Sequence, residues 1–232
     1  NPEATDDNGS CEGCGLAFHF NTCDDCDILN NGDKVYRLKI KSSDAYSINF
    51  IFNQFYLAQN TELFIYNNDY SDLIGAFTNQ NNKTHNRFST VPVSGEEVIL
   101  EYFEPSNVNS NSIINISNII HGYKPNFSIK SRGFNDSQSC NNNINCSIYE
   151  SWENQKNSVV MTLTDGGTRL CSGTMLNNIN EDLELYFLTS YNCLGGHEDW
   201  IFMFNYESLN CNNEDGITNH TLSGATLLSY SS

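Results

Sequence analysis

Positive charge is scarce in this sequence. Its 232 residues include 11 Lys and Arg against 28 Asp and Glu, which gives a formal net charge of −17. No Lys or Arg comes before Lys34 or after Arg169. Proteins bind nucleic acid backbones through clusters of cationic side chains, so this composition excludes binding of a nucleic acid through a basic surface.

Long apolar runs are also missing. The longest are four or five residues, such as residues 185–188, whereas a helix needs about 20 apolar residues to cross a bilayer. We therefore expect no transmembrane segment. The first residues also lack the apolar region of a secretory signal peptide, so the chain either follows a removed signal or begins a cytosolic protein.

Cysteine, in contrast, is frequent. Nine cysteines in a chain rich in short strands are typical of a disulfide-bonded protein from an oxidising compartment. We therefore expect a secreted or surface protein. Because nine is odd, at least one cysteine has no partner within the chain.

Alternation of apolar and polar residues predicts strands in the first half. In residues 35–41, Tyr36, Leu38 and Ile40 alternate with basic side chains, which is the pattern of a half-buried strand with a solvated basic face. A functional basic patch is the alternative interpretation. Further short apolar segments separated by turns follow, and together they predict an antiparallel β-sandwich over residues 30–122.

The second half shows another series of strands. Residues 123–139 have a looser pattern and are interpreted as a linker. Residues 140–232 hold five of the nine cysteines and a second set of predicted short strands, among them residues 183–189 and 221–228. They therefore predict a disulfide-braced β-barrel or sandwich.

Residues 1–29 form a separate cysteine-rich segment with two matched pairs, Cys11-x-x-Cys14 and Cys23-x-x-Cys26. Four thiolates at this spacing could bind a tetrahedral zinc ion. An oxidising compartment favours disulfides instead, and nested bonds Cys11–Cys26 and Cys14–Cys23 would hold a small hairpin around residues 18–20. We expect the disulfides and no resident cofactor, with zinc as the alternative.

Several segments of the second half together resemble a known family. The segments are Arg-Leu-Cys-Ser-Gly-Thr-Met-Leu at residues 169–176, Leu-Tyr-Phe-Leu-Thr-Ser-Tyr-Asn-Cys-Leu-Gly-Gly at 185–196, and residues 200–208 and 223–227. Together they resemble the first β-barrel of secreted bacterial lysyl-endopeptidase-like serine proteases, which have the trypsin fold. Residues 32–123 resemble the β-rich segment that precedes the protease domain in longer members. The resemblance implies an all-β protein, in which an antiparallel β-sandwich is followed by half of a trypsin-like double barrel.

The resemblance also implies a pattern of cysteine pairs. It pairs Cys171 with Cys193, and Cys146 with Cys211. In the family, the cysteine that corresponds to Cys140 bonds to the second barrel, which this sequence lacks. Cys140 is therefore left over, and we expect it to bond to a partner protein or to a missing C-terminal segment.

The same resemblance implies that catalysis is lost. The family places its general-base histidine directly before the cysteine that corresponds to Cys193, and here that position is Asn192. An amide has no nitrogen that titrates near neutral pH and cannot accept a proton from serine. The family's aspartate and serine would lie beyond Ser232. His197 could act as a substitute base, but a loop histidine is the simpler interpretation, and Ser190 has no base beside it in the sequence.

These observations together predict a secreted, catalytically inactive protease homologue that acts as a binding or surface-assembly module. The alternative is the N-terminal fragment of a lysyl-endopeptidase-like serine endopeptidase, completed by a missing C-terminal segment. No intact catalytic triad is expected in either case.

Overall fold

The structure, a computed structural model, describes residues 26–123, 142–212 and 216–231, together with the backbone of Leu16–Phe18. The chain divides into two compact units, Asn1–Asn126 and Phe127–Ser232. Most of the predicted linker, residues 123–139, lies outside the described residues.

The first unit consists of two five-stranded antiparallel sheets. One sheet has the strand order β2-β3-β9-β5-β6, and the other has the order β1-β10-β4-β7, with β8 also paired to β4. The strands are β1 (Leu16–Phe18), β2 (Cys26–Ile28), β3 (Lys34–Lys41), β4 (Ser47–Tyr56), β5 (Glu62–Asn67), β6 (Leu73–Phe77), β7 (Phe88–Ser89), β8 (Val93–Ser94), β9 (Glu97–Glu104) and β10 (Ile113–Gly122).

The core of this sandwich is formed by the apolar faces of its strands. The fully buried side chains include Phe50, Phe52 and Phe55 of β4, and the ring of Phe55 stacks on that of Phe88 at 4.3 Å between centroids. β4 supplies so many core residues because it lies in the interior of its sheet, between β10 and the short strands β7 and β8. Its aromatic and β-branched residues favour extended backbone.

The basic face of β3 is neutralised by the neighbouring strand β9. The register places Arg37 opposite Glu101, and the Arg37 Nε donates to a Glu101 carboxylate oxygen at 2.6 Å. Lys39 and Lys41 both pair with Glu97. The cations of β3 therefore form cross-strand ion pairs, which agrees with a solvated strand face and not with a functional basic patch.

The cysteine-rich segment contributes a strand to each sheet of the sandwich. β1 pairs with β10 at the edge of one sheet, and β2 pairs with β3 at the edge of the other. The sequence could not show these two pairings, because they depend on residues far along the chain. The expected hairpin around residues 18–20 includes residues outside the described part of the chain, so it stays a prediction.

The second unit has one five-stranded sheet with the order β13-β12-β11-β14-β15. It begins with a 3-10 helix at Ser147–Trp152 and a short helix α1 (Glu153–Lys156). The strands are β11 (Val159–Leu163), β12 (Arg169–Leu176), β13 (Tyr186–Thr189), β14 (Ile201–Phe204) and β15 (Thr221–Ser223), and further 3-10 turns lie at Tyr191–Cys193 and His197–Asp199.

Two of these strands are shorter than their apolar runs predict. The run at residues 221–228 forms a strand only to Ser223, because Gly224 has a φ of 74° and its N–H donates to the Trp200 carbonyl. Leu183, with a φ of 64°, likewise lies outside β13. Such left-handed backbone ends the extended conformation of a strand.

The chain is therefore all-β, with an antiparallel sandwich followed by a disulfide-braced half of a trypsin-like barrel. The predicted fold class is confirmed. None of the described helices is long and apolar enough to cross a membrane.

Candidate functional site

Asn192 lies on the 3-10 turn Tyr191–Cys193, directly after the edge strand β13. Its side chain is exposed. The next residue, Cys193, points the other way and is only 7% exposed. The turn therefore exposes the side-chain amide of Asn192 to solvent, and Cys193 packs into the core.

The anchor is the disulfide between Cys193 and Cys171 of β12, with 6.2 Å between the Cα atoms. Cys193 also packs in a small core cluster with Val160, Trp200 and Phe202. The bond and the cluster together fix the backbone of the turn.

The close approach of β12 and β13 beside this turn requires a glycine. A Cβ atom on Gly173 would lie 2.3 Å from the Leu188 carbonyl oxygen and 2.4 Å from the ring of Phe187. Thr189, opposite Gly173 in the register, donates from its hydroxyl to the Ser172 carbonyl at 2.9 Å. Gly173 thus lets Phe187 cover the core beneath the site.

The loop after Asn192 is held by Trp200. The indole Nε1 donates to the Gly195 carbonyl at 2.9 Å, and the His197 ring stands edge-on to the Trp200 ring at 6.3 Å. The backbone of His197 accepts from Ala225 N–H at 2.9 Å. His197 therefore has a packing role in this loop.

The site as described contains no acid–base pair. In the described part of the chain, no hydrogen bond joins the His197 ring to a carboxylate, and none joins the hydroxyl of Ser190 to a histidine. The carboxamide of Asn192 can donate and accept hydrogen bonds but cannot take up a proton near neutral pH. A carboxamide of this kind can hydrogen-bond to a peptide group, whereas it cannot accept a proton from a serine.

The second disulfide of this unit joins Cys146 to Cys211, with 4.4 Å between the Cα atoms. Amide side chains reinforce it: Asn143 Nδ2 donates to the Cys211 carbonyl at 3.1 Å, and Asn145 Nδ2 donates to the Ser208 carbonyl at 2.6 Å. Both disulfides join the cysteines that the resemblance pairs.

Lys156 joins the chain segments around Cys146 and Cys211 through contacts that the sequence analysis did not find. Its side chain is 11% exposed and pairs with Glu207 at 3.1 Å and Glu153 at 3.0 Å, and its Nζ donates to Asn145 Oδ1 at 2.6 Å. The hydrogen bond to Glu153, followed by that to Glu207, raises the pKa of Lys156. The only signal in the sequence is that Lys156 is the last lysine of the chain.

The remaining predicted site residues are cysteines. Cys26, on β2, is disulfide-bonded, and the four other described cysteines are bonded to one another. Cys11, Cys14, Cys23 and Cys140 lie outside the described residues, so their predicted pairs and the zinc alternative stay predictions. Within the described ranges no group of three or more His, Cys, Asp or Glu residues is placed to hold a metal ion.

His121 is a further histidine of the first unit. Its Nδ1 lies 2.8 Å from the hydroxyl of Ser42, and Ser42 is 3% exposed. A serine so deeply buried cannot reach a substrate, so this pair has a structural role between the end of β3 and β10.

One comparison with known proteins bears on the second unit. Residues 134–232 match the family model described as lysyl endopeptidase, C-terminal domain. No solved structure matches the chain. The disulfides of this region agree with an oxidising compartment. This part of the chain, somewhat less than half of it, is therefore lysyl-endopeptidase-like, and the protein is related to proteases.

Proposed function

We propose that the protein is a secreted, catalytically inactive homologue of trypsin-like proteases that acts as a binding or surface-assembly module. The observation that supports this is the exposed Asn192 at the position where the resemblance expects the general base. The scaffold around it is complete, with the Cys171–Cys193 bond and the Trp200 hydrogen bond in place. A protein that keeps this scaffold without a base retains surfaces for a partner and lacks proton transfer.

The size of the catalytic loss can be judged from triads in general. Removal of the histidine alone lowers turnover by about a million-fold. Neither Ser190 nor His197 supplies a substitute in the described contacts. We therefore expect no measurable turnover of any peptide by this chain.

The experiment is hydrolysis of Lys- and Arg-containing peptides by the purified chain, followed by mass spectrometry, with parallel labelling by a fluorophosphonate that reacts with activated serines. We expect neither cleavage nor labelling. An Asn192→Ala variant serves as the control for contaminants, since any cleavage that it retains unchanged does not depend on this site. Cleavage that Asn192→Ala abolishes, together with labelling of this chain, would contradict the proposal.

A second candidate is that this chain is part of a lysyl-endopeptidase-like serine endopeptidase completed by a further C-terminal segment. The match of residues 134–232 to the lysyl endopeptidase C-terminal domain supports the relation to this family. We further propose that the leftover cysteine, Cys140, bonds to that segment or to a separate protein. Intact mass without reduction tests this. A heavier species that releases the chain on reduction, and that a Cys140→Ser variant does not form, is the expected result. A monomer with a free Cys140 thiol is the contrary one.

A further inference from the structure

The edge of the second unit's sheet exposes an unusual amount of apolar surface. We call residues 177–189, which comprise the loop 177–185 and strand β13, the β13 edge surface. Ile179 is fully exposed, Leu183 is 91% exposed, and Leu185 is 68% exposed. On the strand itself, Leu188 is 56% exposed. Exposed apolar side chains gathered in one segment mark interaction sites.

The backbone of this surface is also open to pairing. β13 is the end strand of its sheet, and within the described residues it pairs with β12 alone. An edge strand has backbone N–H and C=O groups on its outer side that can accept another strand. Proteins commonly protect such edges with lysine or proline, and residues 177–189 contain neither.

The charge of this surface has one sign. Glu181, Asp182 and Glu184 are exposed, and none of them forms an ion pair within the described part of the chain. Asp182 accepts from Asn178 Nδ2 at 2.6 Å and from Glu184 N–H at 3.0 Å, and these bonds, the first above all, lower its pKa. Asp182 is thus held as a carboxylate, with the exposed side chains of Glu181 and Glu184 beside it in the same loop.

The described residues of the second unit include two Lys or Arg side chains, Lys156 and Arg169, and neither pairs with these acids. From residue 157 to residue 232 the sequence has nine Asp and Glu and a single base, Arg169. That guanidinium lies over the ring of Tyr206, 5.4 Å from its centroid, and donates to the Tyr206 hydroxyl. A second copy of the chain would bring two acidic loops together, and their like charges would repel.

We propose that the β13 edge surface binds an extended segment of a partner protein in which Lys or Arg alternates with apolar residues. The segment adds a strand to β13, its apolar side chains cover Leu188 and its neighbours, and its cations pair with Glu181 and Glu184. This mode of binding takes affinity from backbone hydrogen bonds and specificity from alternate side chains. The inference deepens the proposed binding role and names the surface and the chemistry of the partner.

The test uses the whole chain and a short fluorescent peptide of alternating Lys and Val, with fluorescence anisotropy as the measurement. We expect saturable binding that weakens as salt is added, because exposed charges are screened. The matching peptide of alternating Glu and Val should not bind. Hydrogen exchange of the complex should show new protection at residues 186–189, and a peptide methylated on alternate backbone nitrogens should lose this protection.

Two variants make the test specific. Glu181→Gln with Glu184→Gln keeps the shape and removes two charges, and should weaken binding by about two- to tenfold. Glu96→Gln with Glu150→Gln removes two exposed carboxylates outside residues 177–189 and should leave binding unchanged. Equal loss in both variants would mean attraction to net charge alone and would overturn the proposal.

The other possible occupants give different results. A dimer of the free chain with residues 186–189 already protected would overturn the proposal in favour of self-association. The same protection in a longer monomeric form of the polypeptide would overturn it in favour of an intramolecular cover. Absence of binding without any cleavage would contradict this inference and leave the proposed inactivity standing, whereas cleavage of the bound peptide would contradict the inactivity alone.

Discussion

The two units of this protein are stabilised in different ways. Of the twelve largest fully buried side chains among the described residues, eleven belong to the sandwich, and only Leu163 belongs to the second unit. The described part of the second unit has two disulfides and the ion pairs of Lys156, while the described part of the sandwich includes one disulfide-bonded cysteine, Cys26. Relative to its small core, the second unit therefore depends more on covalent and polar bonds than the sandwich does.

The physical reason lies in how much surface each unit can cover. Two facing sheets bury one side of every strand, so the sandwich has a continuous core. The second unit has one sheet over a small cluster around Trp200. Small cores supply little stabilisation, and proteins from oxidising compartments add disulfides to compensate.

The largest expected effect is from a cavity in the sandwich core. Phe52 is fully buried and its ring contacts those of Phe55 and Phe88 at 5.4 and 6.1 Å. Phe52→Ala should lower the free energy of unfolding of the first unit by about 3–5 kcal/mol. Hydrogen exchange should then rise in β4 and β10 and stay unchanged in β11 and β14.

Tyr56→Ala is the control for this change, since Tyr56 lies on the same strand and is 40% exposed. Its effect should be below about 1 kcal/mol. If Phe52→Ala lowers hydrogen-exchange protection in both units, the units unfold together, which would contradict their separate stabilisation.

Removal of a disulfide should destabilise the second unit selectively. The bonds Cys146–Cys211 and Cys171–Cys193 close loops with sequence separations of 65 and 22. Loop entropy predicts losses of about 4 and about 3 kcal/mol when each pair is replaced by serines. Thermal unfolding combined with hydrogen exchange would measure the loss of stability in each variant and locate it in one unit. Equal stability of both variants and the parent chain would show that the sheet does not need these bonds.

Two lysines of different exposure offer a finer comparison. Lys156, with an 11% exposed side chain, holds Asn145 and Glu207, so Lys156→Met leaves these oxygens without a donor and should cost about 1–3 kcal/mol. Lys41, with a 50% exposed side chain, pairs with Glu97, and Lys41→Met should cost less than about 1 kcal/mol. Denaturant unfolding of both variants measures the difference. Similar losses would mean that the Lys156 pairs are no stronger than a surface pair.

The smallest expected effect concerns pH and the sandwich. A hydrogen bond from Lys39, followed by one from Asn68, lowers the pKa of Glu97 to about 2 from its ordinary 4.5. Between these values the unfolded chain binds more protons than the folded one, so this contribution is complete above about pH 5 and decreases as the pH falls toward 2.

Glu97→Gln should make the stability of the first unit less dependent on pH in this window. Denaturant midpoints measured at several pH values from 6 to about 2 would show it. Asp33 and Asp69 also have lowered pKa values and act in the same direction, so the slope should decrease without disappearing. An unchanged slope would mean that the hydrogen bonds from Lys39 and Asn68 to Glu97 do not form in solution.

Local patterns were enough to predict much of the fold. The alternation in β3 follows from the pleat of a strand, in which side chains point to opposite faces in turn, and the structure bears it out from Lys34 to Lys41. The strand predicted at residues 221–228 was too long, since hydrogen bonds from Gly224 and Ala225 to the loop around Trp200 redirect the backbone. Such bonds between distant segments leave no local signal.

The candidate site was only partly readable in the sequence. Asn192 could be singled out because a cysteine follows it in a segment that resembles a known one. The contacts of Lys156 with Asn145 and Glu207 could not be predicted from the sequence, because folding brings these residues together and no sequence spacing relates them.

The sequence by itself determined the acidity, the all-β character, the surplus of cysteines and the identity of residue 192, because these depend on composition and on short-range periodicity. The tertiary structure decided which acids neutralise the basic face of β3, which sheets receive β1 and β2, and that residues 177–189 are left as an acidic, apolar edge. The reason is that register and burial depend on pairings between distant segments, which are settled only when the whole chain packs.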